Sequence, residues 1–209
     1  MAAAAPSNFE QPASFAFDAE SEAELAMLIA RYPAGKQASV VIPGLYVVQH
    51  QMKRQTDSAW VPVKGMDALA ERLGMAPIRV YEVATFYYMF NMAPIGKYHL
   101  QVCTTTPCWL RGSDEIVEAC RAATGIKGWK ETSADGMFTM TEVECVGACV
   151  NAPILQVDDD FYEDLNGERT TALLAALRRG EKPPKGSTIG RQNSAPDGGP
   201  QTLLFAPEA

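Results

Sequence analysis

The chain has 209 residues, 47% of them apolar and 21% charged, with 18 basic against 25 acidic side chains and a formal charge of -7. These proportions exclude a wholly disordered chain, and the negative balance argues against a nucleic-acid binder steered by phosphates. The longest stretch without Asp, Glu, Lys or Arg, Gln37 to Met52, is shorter than the about 20 residues a membrane-spanning helix needs.

No basic residue precedes Arg31, whereas Glu10, Asp18, Glu20, Glu22 and Glu24 do. A presequence or a secretory leader would show the opposite balance, so the sequence predicts a cytoplasmic protein in a thiol-reducing compartment. Residues 1–19, with Pro6, Ser7, Pro12 and Ser14 and no period, predict a loose N-terminal arm.

Residues 20–92 predict a helical bundle. Ser21 and Glu24 have the spacing of a capping box ahead of the stripe Leu25, Leu28, Ile29 and Tyr32, which Pro33 and Gly35 stop. Met66, Leu69, Ala70 and Leu73 repeat the stripe, with Gly74 as C-terminal cap. Pro77 suits the first turn of a further segment, Ile78 to Phe90. That segment and Val40–Gln51 are rich in β-branched and aromatic residues, and both are assigned to helix.

From Gly96 the period changes. Tyr98, Leu100 and Val102 alternate with His99 and Gln101, a strand pattern. Ser113–Thr124 predicts a helix burying Ile116, Val117, Cys120 and Ala123, closed by Gly125. Met137–Val143 and Ile154–Val157 predict strands, and a last helix carries Leu173, Ala176 and Leu177 and ends at Arg178, Arg179 and Gly180. The order β-α-β-β-α over residues 93–180 describes a small α/β domain with one open sheet. Residues 181–209, with five Pro and four Gly and no period, predict an extended tail.

Of five cysteines, four form two tight pairs: Cys103 and Cys108, then Cys145 and Cys149. Each pair sits where a predicted strand gives way to a loop, and loops at neighbouring strand ends can converge. Three chemistries suit four such thiols. A [2Fe–2S] rhomb takes two thiolates on each iron. Structural zinc accepts both spacings, although its usual knuckles are short. Thiol–disulfide exchange normally uses C-x-x-C, which neither pair has. The flanks favour the cluster. Pro107 suits a helix start just before Cys108, Thr104, Thr105 and Thr106 offer hydroxyl donors, and Gly147 and Ala148 let backbone approach an inorganic core.

Cys103-Thr-Thr-Thr-Pro-Cys-Trp-Leu-Arg-Gly112 and Glu144-Cys-Val-Gly-Ala-Cys-Val-Asn-Ala-Pro153 resemble the two cluster motifs of the thioredoxin-like [2Fe–2S] ferredoxin family. Within it the chain is similar to the branch of E-type subunits, which serve bacterial NADH:quinone oxidoreductase, respiratory complex I. Val80-Tyr-Glu-Val-Ala-Thr-Phe-Tyr87 and Asp159-Asp-Phe-Tyr-Glu-Asp-Leu165 add to the likeness, which spans roughly residues 20–180 and continues weakly from Gly190 to Leu204. The resemblance implies a helical bundle followed by a thioredoxin-like domain. It also implies one [2Fe–2S] cluster on Cys103, Cys108, Cys145 and Cys149, transferring single electrons. FMN and NADH are then expected only on a flavoprotein partner, the FMN/NADH-binding F-type subunit. A neighbouring iron–sulfur subunit of the G type is implied as well, on the cytoplasmic side of the membrane complex. Equivalent subunits serve NAD-linked formate dehydrogenases and hydrogenases; a zinc-stabilised, non-redox adaptor is the competing class. The chain has no G-x-G-x-x-G after a strand, so no dinucleotide site and no catalysis are expected of the isolated chain.

Among the remaining candidates, Cys120 reads as a core thiol, and His50 and His99 as packing or surface residues, because a Rieske centre needs His and Cys paired closely. Glu142, Glu144, Asp158, Asp159, Asp160, Glu163 and Asp164 form an acidic run. It reads as solvated loop, or more sharply as a field that lowers a cluster potential. Trp109 either packs or shields the site. The uncharged stretch Val83–Gly96 predicts core with some flavoprotein interface, and the tail predicts a partner-wrapping extension.

Overall fold

Asp18 opens the first helix, α1 (Ala19–Ala30), its carboxylate accepting the Ser21 N–H at 2.8 Å. The expected cap, Ser21, instead lies inside the first turn, where it is buried and its hydroxyl accepts from Arg54 Nη2 at 2.8 Å. The computed structural model describes residues 9–199 and 202, and the chain divides into two units, Met1–Lys97 and Tyr98–Ala209.

In the first unit α1 is followed by a 3₁₀ turn (Gln37–Val40) and by α2 (Val41–Thr56), α3 (Val63–Leu73) and α4 (Pro77–Phe86). Leu25, Leu45, Val48, Leu69, Leu73, Val80, Ala84 and Phe90 meet in one buried core. Gly44 of α2 lies so close to α3 that an added Cβ would stand 2.6 Å from Leu69 Cδ1, so any side chain there would force the buried Leu69 to shift. Gly74 in the left-handed conformation (φ 65) ends α3, and Pro77 stands in the first turn of α4, both as the sequence predicts. The segment expected to run as helix to Phe90 stops at Phe86, where Tyr87 turns extended. Phe86 and Tyr88 are then 78% and 69% exposed, while Phe90 returns to the core.

The described part of the N-terminal arm is not loose. Phe9 packs edge-on against Trp60 (ring centroids 5.4 Å apart). The buried Gln51 side chain donates to Ala16 O at 2.8 Å and accepts from Asp18 N at 3.1 Å, pinning the chain before α1. Residues 1–8 lie outside the described residues.

The second unit contains β1 (Tyr98–Cys103), α5 (Thr106–Leu110), α6 (Ser113–Thr124), β2 (Glu131–Thr132), β3 (Phe138–Val143), a 3₁₀ turn (Cys149–Asn151), β4 (Leu155–Val157), β5 (Asp160–Glu163), α7 (Gly167–Arg178) and β6 (Gly186–Ser187). They form a mixed, open six-stranded sheet in the order β2-β3-β1-β4-β5-β6. β1 runs parallel to β3 and antiparallel to β4. Leu100, Val102, Phe138, Met140 and Leu155 pack with Ile116 and Cys120 of α6 and Leu174 and Leu177 of α7. Strand alternation turns His99, Gln101, Thr139 and Thr141 to the opposite face, where His99 Nε2 and Thr141 Oγ1 are 2.8 Å apart. This is the expected α/β open-sheet architecture, with β2, β5, β6 and the short α5 added to the strands and helices read from the sequence.

Within the described residues the tail is extended, as the sequence predicts, and it lies along the second unit. β6 pairs parallel to β5, and Thr188 N donates to Glu163 O at 3.0 Å, so the segment is held by its own unit. Most of the chain beyond residue 199 lies outside the described residues. Among the described residues no helix is long and apolar enough to cross a membrane.

Candidate metal centre

Cys103 is the last residue of β1 and Cys145 follows the end of β3, and the two strands are parallel neighbours with Cys103 opposite Val143. Parallel neighbours deliver their C-terminal ends to the same edge, so both cysteine loops emerge together. Cys108 stands on α5, which opens with Pro107 in its first turn as the sequence predicts. Cys149 begins the 3₁₀ turn. Cys103 and Cys108 are buried, Cys149 is half-buried and Cys145 is exposed.

The thiols approach one another in pairs. Cys145 Sγ and Cys149 Sγ are 3.2 Å apart. Cys108 shares a hydrogen bond with Cys103 and feels the charges of Cys103 and Cys149. Thr105 Oγ1 lies 3.3 Å from Cys103 Sγ and also reaches the Cys145 thiol. Thr104 points elsewhere, donating to Glu142 Oε1 at 2.7 Å. Burial, with the Cys103 hydrogen bond second, pushes the Cys108 thiol up to about 12. The hydrogen bond between Cys145 and Cys149 lowers the former and raises the latter; the Gly147 N–H adds to the lowering of Cys145. Within each pair one thiol hydrogen-bonds the other, an arrangement that metal ligation would replace once the protons leave.

The donor set fits a cluster. Metal–sulfur bonds of about 2.3 Å at tetrahedral angles set paired thiolates about 3.8 Å apart, so the Cys145–Cys149 pair needs only a small opening. Gly147 (φ 88) has open space where a Cβ would point, leaving its backbone accessible. Ala152 and Ile154 pack with Cys103 and Cys108, and Val146, Ala148 and Phe161 flank them, so the surroundings are apolar. Among the described residues no group of three or more His, Cys, Asp or Glu is gathered as for one metal ion; the sulfurs are disposed two by two.

The other candidates fall outside the site. Cys120 is buried in the α6 face of the core, its thiol pushed up to about 12 by burial. His50 packs on Tyr46 in the first unit, ring centroids 5.9 Å apart, and His99 bonds Thr141 on the sheet. Trp109 is 57% exposed, so it does not pack into the core; Leu110, next in the chain, and Val150, next after Cys149, are exposed as well. Sequence reasoning missed the residues that hold the Cys149–Asn151 turn. Asp164 N donates to Asn151 O at 2.7 Å, and Asn151 Nδ2 donates to Asn193 O at 2.7 Å and to Glu163 Oε2. Only the place of Asn151, two residues after a cysteine, offered a signal.

Residues 25–178 match the family described as thioredoxin-like [2Fe–2S] ferredoxin. The E subunit of NADH-quinone oxidoreductase from Rickettsia typhi (strain ATCC VR-144 / Wilmington) is 47% identical over 161 residues, 77% of this chain and 91% of that protein. Its counterpart from Rickettsia prowazekii (strain Madrid E) is 48% identical over 161 residues, 77% of this chain and 88% of that protein. Among solved structures, an NAD+-reducing [NiFe]-hydrogenase in the H2-reduced state superposes with a TM-score of 0.54 at 20% identity over 66% of this chain, a likeness of fold. This chain spans only 22% of that hydrogenase chain. With its four cysteines carried by two loops of an open mixed sheet and the family match covering both, the chain belongs to the thioredoxin-like [2Fe–2S] ferredoxin family.

Proposed function

We propose that this chain is an electron-transfer subunit of the NADH-oxidising module of NADH:quinone oxidoreductase, respiratory complex I, holding one [2Fe–2S] cluster through Cys103, Cys108, Cys145 and Cys149. The observation that carries the reading is the convergence of two cysteine pairs at one end of β1 and β3 in a chain nearly half identical to E-type subunits over nine-tenths of their length. When bound, such a cluster takes up and gives back one electron. The chain's own residues hold it and set its surroundings. Cys103 and Cys108 supply a buried pair and Cys145 and Cys149 a more exposed one. Thr105 offers a hydroxyl to Cys103 sulfur, and Ala152 and Ile154 keep water from the inner pair.

A one-electron carrier needs a donor beside it. In this reading FMN and NADH reside on the F-type flavoprotein, the G-type subunit is the neighbouring iron–sulfur carrier, and the assembly lies peripherally on the cytoplasmic face of the membrane complex. The isolated chain then has no NADH-oxidising activity. The scheme divides the chain into an arm (1–19), a helical bundle (20–92), the cluster domain (93–180) and a tail (181–209). Each unit offers exposed apolar residues of its own for such docking, Phe86 and Tyr88 on the first and Trp109, Leu110 and Val150 on the second.

The full chain, purified without oxygen, should contain two irons and two sulfides, absorb in the visible, and give an EPR signal after dithionite reduction. One zinc with neither iron nor sulfide would defeat the cluster and leave the adaptor class. Co-purification should bring down a flavoprotein; a hydrogenase or formate dehydrogenase subunit in its place would reassign the host complex.

A further inference from the structure

The tail carries a cation into the interior of its own unit. Arg191 and Asp164 form an ion pair at 2.7 Å with side chains only 7% and 3% exposed. Buried charges persist where pairing and hydrogen bonds replace water, and here the pair is the centre of a knot. Asp164 takes a second bond from Ser187 Oγ at 2.6 Å. The pairing nitrogen is Nη2; Nη1 donates to Ala195 O at 3.1 Å and reaches Val150 O at 3.5 Å, while the buried Nε finds no partner among the described residues. Asn151, buried beside them in the turn, bonds Asn193 O on the tail side and Glu163 on the strand side. Asp164 N holds Asn151 O from below. The turn so enclosed begins with Cys149, while the partner thiol, Cys145, is exposed.

We propose that Arg191 and Asp164 are positioning residues for the cluster: the tail segment 186–195 is a strap that fixes the Cys149–Asn151 turn, and through it the Cys145–Cys149 half of the site. This rests on the ligand set proposed above. Neither residue touches a thiol in the contacts described, so their effect is on where Cys149 stands and on how often its loop opens. An outer ligand pair on a loop anchored only by the half-buried Val146 and Ala148 gains from such a fastening, because release begins when one thiolate swings away. The planar, bidentate-capable guanidinium suits three acceptors on three segments, which a lysine ammonium serves less well.

The test uses the full chain with its cluster in place. Arg191→Met keeps the stem and removes the fork, and Arg191→Lys keeps the charge. Leu174→Ala, a core truncation on α7, serves as a control chosen to lower the thermal midpoint at least as far. Bleaching of the visible absorption by an iron chelator should be roughly tenfold faster in R191M, the scale of one charge-assisted hydrogen bond. R191K should fall between R191M and the parent. The R191M EPR signal should broaden or shift, because the ligand geometry varies, whereas L174A should keep the parent line shape and nearly the parent bleaching rate. Equal bleaching in R191M and L174A, or an R191M rate and line shape identical to the parent, overturns the proposal. If R191M fails to accumulate, the pair replacement Asp164→Leu with Arg191→Met, which leaves no lone buried charge, is read by the same criteria. Cys145→Ser and Cys149→Ser keep the two readings apart. Normal clusters in both would sink the ligand set itself, whereas altered clusters there with a parent-like R191M would sink the strap alone.

Discussion

Replacing Cys120 by serine exchanges a sulfur sealed in the core for a hydroxyl that needs a partner. Cys120 has 0% of its surface exposed and packs among Ile116, Leu100 and Leu174. Of the polar groups nearby, its own carbonyl already accepts the Thr124 hydroxyl at 2.7 Å. A serine at 120 bonds back to the carbonyl one turn earlier, as Thr124 does, and so escapes the full cost of about 1–3 kcal/mol for a stranded hydroxyl; Cys120→Ser should lower stability by about 1 kcal/mol and the thermal midpoint by roughly 2–4 °C. Cys120→Ala, which leaves a small void without a stranded polar group, should cost about 1 kcal/mol. Iron and sulfide content and the EPR line shape should be those of the parent in both variants. The thiol should also resist alkylation in the folded chain: with its titration pushed up to about 12 by burial, about one molecule in ten thousand carries the thiolate at about pH 8. Loss of iron in either variant would make Cys120 a ligand, and an unchanged midpoint in the serine variant would contradict its burial.

Two further outcomes follow from charges in the second unit. Asp135 accepts from Ser133 Oγ at 2.5 Å and from Met137 N at 3.1 Å and pairs with Arg178, and these bonds, Ser133 first, hold its carboxyl down to about 2 against an ordinary 3.8. A folded-state value below the unfolded one gives stability that is present above about pH 4 and lost as the pH falls through about 2. Because both side chains are more than a third exposed, solvent screening limits the contribution to about 1 kcal/mol or less. Denaturant midpoints of the cluster-free parent and Asp135→Asn should therefore differ at about pH 7 and converge near about pH 2; a gap of constant size would refute this. Glu142, bonded to Thr104 beside Cys103, and the exposed Glu144 place negative charge near the cysteine loops. Neutralising both (E142Q with E144Q) should raise the cluster potential by roughly 10–30 mV, the scale of screened surface charges, and a redox titration showing no change would dismiss the field.

The two cysteine pairs of the proposed site were legible in the sequence because the residue types are few and the spacing is local, with a proline inside one pair and a glycine inside the other. Helix ends were legible where backbone chemistry is committed, at Gly74 and Pro77. They were misread where two residues compete for one role. Asp18 and Ser21 both suit an N-cap, and the carboxylate, also bonded to Arg54, takes it. The end of α4 at Phe86 carries no glycine or proline, and its aromatic run looks alike in core and surface. β5 was hidden by acidic residues; Asp158 adopts φ 52 in the preceding turn and caps His99 N at 2.9 Å, so the run is folded turn and strand more than solvated loop. The strap was illegible for a different reason. Arg191 and Asp164 are 27 positions apart, and no periodicity or motif links a lone arginine in a glycine-rich tail to a buried carboxylate.

Under the proposed ligand set, the pairing of β1 with β3 fixes the address of Cys103. Cys103 shares its sheet face with His99 and Gln101, opposite the face that α6 and α7 cover. A slip of one residue in that pairing, Cys103 no longer opposite Val143, would rotate the sulfur under the helices and leave the other thiols facing a valine or a threonine. With that ligand set the two strands would act as a vernier, their alignment deciding whether the proposed metal site is complete. Iron content should then report strand alignment as faithfully as it reports cysteine chemistry. Binding of the cluster would in turn bias the sheet towards the one alignment that completes it.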